Sequence, residues 1–61
     1  MDREEALTVL PFVYATALRL AELGVADAVI ARAVGVVPEA VPNLMQIANH
    51  KLAELTEATQ P

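Results

Sequence analysis

Apolar residues recur at three- and four-residue intervals along most of the chain, and the interruptions fall where helices end. In the C-terminal half Val41, Met45, Ala48, Leu52 and Leu55 form one stripe, the spacing of a helix that buries one face. Leu44 and Ile47 make an adjacent stripe with Ala40. In the N-terminal half Leu7, Leu10, Tyr14, Leu18 and Ala21 form a face that Val9, Val13, Leu20 and Leu23 widen. Phe12 falls toward the side carrying Thr8, Thr16 and Arg19. No stretch sustains a period of two, and neither Asn-Gly nor Asp-Gly occurs, so no hairpin is expected. The pattern predicts an all-α fold, a small domain of three to four helices.

The punctuation places the helix ends. Asp2 is positioned to cap a first short helix, with Glu4 and Glu5 in its opening turn, where the macrodipole favours them. Pro11 fixes φ and lacks an N–H, which predicts a break near Leu10 and a main helix running to about Leu23. Gly24 suits a left-handed helix end. Ala26 and Asp27 open a short helix, with Asp27 as its capping side chain, and Gly35 stops it after Val34. Val36 and Val37 form the turn. Pro38 then opens the last helix from its first position and carries it to Leu55 or Thr56. Pro42, about one turn in, sits where a missing N–H is tolerated, or else marks a bend. Residues 1–61 read as one domain, with a frayed polar tail over 57–61.

Composition changes this picture in two ways. A chain of 61 residues buries only about 60% of the surface its unfolded form exposes, yet 56% of this one is hydrophobic. Phe12 and Tyr14 are the only aromatic residues, and there is no cysteine to supply a disulfide or a thiolate ligand. The apolar surplus predicts a homo-oligomer, a dimer first of all, or docking on another protein. The second change is charge. Four Lys and Arg face eight Asp and Glu, a net charge of −4, the wrong sign for unassisted attraction to nucleic acid or anionic lipid.

Little else in the chain carries chemistry. His50 is the only histidine, so no chelating set can be built around it, and Glu54 one turn later reads as its ordinary surface partner. The threonines have no neighbouring base, and two glycines eleven residues apart make no phosphate loop. Neither an enzyme, nor a cofactor, nor a metal, nor a small-molecule substrate is expected. The charge-free run over residues 6–18 is shorter than the roughly 20 residues a membrane span needs. Asp2, Arg3, Glu4 and Glu5 do not open a signal peptide. A cytoplasmic protein is the expectation.

From residue 10 to about 55 the chain resembles region 4 of extracytoplasmic-function sigma factors. The likeness lies in Leu10-Pro11 ahead of a long helix, Ala17-Leu18-Arg19-Leu20 and Glu22-Leu23-Gly24-Val25. It continues through Asp27-Ala28, Ile30-Ala31-Arg32-Ala33-Val34-Gly35-Val36, Pro38-Glu39-Ala40-Val41 and Lys51-Leu52. The resemblance implies a helix-turn-helix in which Ile30, Val34 and Val36 are core contacts and Ala31 is small because two helices cross there. In such domains the last helix reads the major groove with a polar and basic face. Here that face holds Pro42, Asn43, Leu44, Gln46, Ile47 and Asn49, and Val29 stands where the family usually has Glu.

Two functions follow. In the first, Val29, Pro42, Leu44 and Ile47, with Phe12, make an apolar interface for self-association or for a protein partner in transcription control. In the alternative, a small dimeric DNA-binding regulator touches phosphate with Arg32 and Lys51. It would touch bases with Asn43, Gln46 and Asn49, since Asn and Gln pair with adenine.

Overall fold

The computed structural model describes residues 1–57, which are helical throughout apart from short connections. Helix α1 spans Arg3–Val9, α2 Phe12–Glu22, α3 Asp27–Val34 and α4 Val41–Glu57, with a 3-10 turn at Pro38–Ala40 ahead of α4. Helix α2 packs against both α3 and α4, and α1 packs against α4. The expected all-α architecture is observed. Of the tail expected to fray over 57–61, Glu57 is the last residue of α4, and 58–61 lie outside the described residues.

Asp2 caps α1: the Glu5 backbone N–H donates to its Oδ1 at 2.9 Å. The break expected at Pro11 is present. Leu10 and Pro11 are both extended, with ψ of 148° and 149°, as a residue preceding proline prefers. Gly24 and Gly35 both sit at positive φ, 77° and 78°. After each glycine a valine donates five residues back, Val25 to the Leu20 carbonyl at 3.2 Å and Val36 to the Ala31 carbonyl at 3.0 Å. This closure satisfies carbonyls that a helix end leaves open. Both valines then pack onto the core.

Three local expectations are corrected. Asp27 caps nothing: Ala26 holds the cap position, and Asp27 is already the first helical residue. It therefore contributes only its charge to the first turn. Pro38 opens a 3-10 turn instead of the α-helix itself, closed by the Val41 N–H donating to the Pro38 carbonyl. Pro42 supplies the reason, since it has no N–H to give the α-type bond to residue 38. The N-terminal apolar face holds for Leu7, Leu10, Tyr14 and Leu18, which share one core cluster, but not for its last member or its flanks. Ala21, Val9 and Leu23 are exposed, while Ala17 is fully buried. Within α2 it is Ala17, and not Ala21, that turns toward α3, where it meets Ile30 and Ala31.

The core has two parts. Ala6, Leu7, Leu10, Leu18, Ala48 and Leu52 fill the space between α1, α2 and α4. Ala17, Ile30, Ala31 and Val41 fill the space between α2, α3 and the start of α4. Met45 packs against both. No polar side chain is buried among the described residues.

Ile30 is 1% exposed at the centre of the second cluster. Ile30→Ala is expected to lower the unfolding free energy by about 2–5 kcal/mol, read from urea unfolding. Hydrogen bonding from the Glu5 backbone N–H is the main cause holding the Asp2 carboxyl below its ordinary value, against a smaller opposing effect of desolvation. A depressed folded value means the charged cap stabilises fully above the ordinary carboxylate range and is lost as pH falls through that depressed value. Asp2→Asn should therefore melt slightly lower than the parent at neutral pH and match it in acid, a difference that thermal melts across pH will reveal.

Candidate functional site

The fold engages three of the four cations. The Arg3 guanidinium (Nη1) lies 2.7 Å from Glu22 Oε1, and Arg19 Nη1 lies 2.9 Å from Glu4 Oε1. The adjacent residues Arg3 and Glu4 on α1 thus meet Glu22 and Arg19 on α2 with opposite charges, a crossed pair that ties the two helices together at the surface. Lys51 lies over the ring of Tyr14, its Nζ 5.4 Å from the centroid, within reach of a cation–π attraction. Among the described residues Arg32 is the one Lys or Arg without an ion pair or ring contact.

The groups proposed to read bases are only partly available. Asn43, Gln46 and Asn49 are all exposed on α4. The Asn49 amide (Nδ2) donates to its own helix, to the Met45 carbonyl at 2.9 Å, which occupies one of its two N–H donors and fixes the amide along the helix. Asn43 and Gln46 make no side-chain hydrogen bond among the described residues.

The residues of the expected apolar interface differ in exposure and lie on three helices. Leu44 is half-buried and packs against the second core cluster. Ile47 is 39% exposed. Helical steps of about 100° per residue put Asn43, Ile47, His50 and Glu54 in one row opposite the core, so Ile47 is an apolar residue in a polar row. Pro42 falls about 140° around the axis from Ile47, on the other flank. Val29, on α3, is half exposed, and Val37 in the turn is also exposed. His50 pairs with Glu54 at 3.4 Å on the α4 surface.

Apolar exposure is greatest at the two ends of α2 and includes Phe12 of the expected interface. Leu23 at the end of α2 is 76% exposed and Phe12 at its start is 69% exposed, with Val9 also open to solvent. Beside the α1–α2 elbow lies an open groove of about 300 Å³, lined by Val9, Leu10, Pro11, Lys51, Glu54 and Leu55. Its origin is the proline break. Helix α1 stops at Val9 and the chain turns through extended Leu10 and Pro11, leaving the flank of α4's last turns uncovered. Of these residues the sequence singled out only Lys51 as a contact. The Leu10-Pro11 step was the available signal, but it reads as a helix break and not as a cleft.

No group of three or more His, Asp or Glu side chains among the described residues is arranged to hold a metal ion. No single helix among them is long and apolar enough to cross a membrane. Comparison with family models, with curated proteins and with solved structures returns no match to this chain.

The crossed ion pairs are about half exposed, so screening limits their worth. A double-mutant cycle of Arg3→Ala with Glu22→Ala should give a coupling of about 1 kcal/mol or less, shrinking further at high salt.

Proposed function

We propose that this chain is a helix-turn-helix-type protein-interaction module, similar to sigma region 4 and associated with transcription control, that engages its partner through apolar contacts instead of phosphate charge. The α3–turn–α4 geometry supports the first half of the reading. The chain bends by 101° between Asp27–Val34 and Pro38–Glu57, and Gly35 ends the first helix, the arrangement of a helix-turn-helix pair.

The observation that carries the second half is the engagement of the cations. With Arg3 and Arg19 each paired to a carboxylate and Lys51 seated over Tyr14, one arginine is left to face a phosphate backbone. Affinity for DNA scales with the number of phosphates neutralised, each worth about one released counterion. A single free Arg32 on a chain of net charge −4 provides little grip. Meanwhile Phe12, Leu23, Val37 and Val9 stand in water, and burying a side chain of that size in a partner is worth roughly 1.5–3 kcal/mol.

A dimeric DNA-binding regulator is the second reading, favoured by exposed Arg32 together with Asn43 and Gln46 on the outer side of α4. Titration of random-sequence duplex at low ionic strength separates the two. The interaction reading expects no mobility shift at tens of micromolar protein. A shift that weakens with salt and disappears in Arg32→Ala would establish the DNA regulator in its place.

A further inference from the structure

Helix α1 is joined to the other helices in a way that lets it leave without disturbing them. Its seven residues pack on α4 and bring Ala6 and Leu7, with Leu10 just beyond, into the first part of the core. The second part, Ala17, Ile30, Ala31 and Val41, contains no residue of α1. Helix α2 packs directly on both α3 and α4, and Met45 touches both parts of the core. Those contacts survive with α1 removed.

The backbone divides at the same place. Helix α1 closes with the Leu10 N–H donating to the Ala6 carbonyl at 3.0 Å, and α2 begins with the Ala15 N–H donating to the Pro11 carbonyl at 3.1 Å. Pro11 has no N–H to carry a bond across the step, so no hydrogen bond of α2 depends on α1. Among the described residues the polar ties from α1 to other helices are the Arg3–Glu22 and Glu4–Arg19 pairs. Both are open to solvent and hold little.

From this we infer that α1 is a detachable cover. It undocks and unfolds as one unit while α2, α3 and α4 stay assembled, and it uncovers an apolar cleft lined by Leu18, Ala48 and Leu52. Seven residues fall short of the roughly 12–15 that an isolated helix needs, so α1 is helical only while docked. Its anchors are Ala6, Leu7 and Leu10, and one of these is merely a methyl group. They are set against the entropy of ordering the whole segment, the balance of a low-stability unit. The elbow groove is the open end of the same cleft, since Leu10 and Leu55 belong to its lining and to the first part of the core. The inference goes beyond the interaction-module reading and does not depend on it.

Native-state hydrogen exchange of the full chain, followed by NMR in sub-denaturing urea, tests it. The Ala6 and Leu10 amides should share one protection, about tenfold or more below that of Met45 and Ala48 in α4. Their urea slope should be common and shallower, because less surface is exposed on opening. Ile30→Val changes the part of the core that α1 does not touch. It should speed the Met45 and Ala48 amides about two- to tenfold and leave Ala6 and Leu10 unchanged, since Ile30 stays packed in the open form. Equal acceleration at all four amides means that α1 opens only with the whole chain, and overturns the proposal. Exchange at Ala6 far faster than at Leu10, without urea dependence, is end fraying and overturns it as well. Amides of α4 that ignore Ile30→Val would show that α2, α3 and α4 do not hold together as a unit, a third contrary result.

Discussion

Ala17, Ala31 and Val41 come from three different helical segments and meet with essentially no solvent exposure. Small side chains at the first two positions let α2 approach α3 closely, and Val41 places the start of α4 against the same point. Helix α2 therefore packs on both neighbours at once. A chain this short cannot spread its core over many layers, so this crossing and the α1–α4 contact must share one apolar interior. Met45 joins the two parts, a flexible side chain suited to filling the irregular space between clusters.

With only aliphatic side chains buried among the described residues, charged groups are left to the surface, and there they are used for holding helices. Arg3 and Arg19 on the first two helices pair with each other's neighbouring carboxylates. Cations spent in this way have less pull on a polyanion, because a phosphate must compete with a carboxylate already within about 3 Å. Net charge alone gives the sign of the long-range field; only the pairing tells how many individual cations remain to grip a ligand. On this fold that number falls to one among the described residues.

Apolar exposure follows from the same economy of length. Helix α1 is two turns long and ends in an extended step whose Leu10 is buried against α2 and α4 while Val9 and Pro11 stay exposed. The consequence is a cleft with an aromatic residue at its edge, whereas the outer side of α4, apolar by composition, presents mostly amide, imidazole and carboxylate groups around Ile47. Leu44 illustrates the difference: its neighbours along the chain suggest an outward stripe, yet α4 turns it toward Val41 and Ile30. The largest exposed apolar residues thus lie at the two ends of α2, away from the helix on which periodicity drew the apolar stripe.

Much of the architecture was legible in residues whose chemistry acts over a few positions. Asp2 could be read as a cap, Pro11 as a break, and Gly24 and Gly35 as helix ends, because each acts locally: Asp2 supplies one hydrogen bond, Pro11 restricts φ, and the glycines permit positive φ. The stripe from Val41 to Leu52 was legible because a single helix preserves its own periodicity. Less legible was which flank of α2 its second neighbour would cover: the pattern put Ala21 on the buried face, whereas α3 packs against Ala17. The sequence by itself determined an all-helical chain, its helix ends, its acidic balance and its apolar surplus. Only the tertiary structure decided which cations were engaged, which apolar residues stayed in water and where a groove opened. Those depend on the angles at which helices cross and on residues far apart in the chain, and no local rule of spacing contains them.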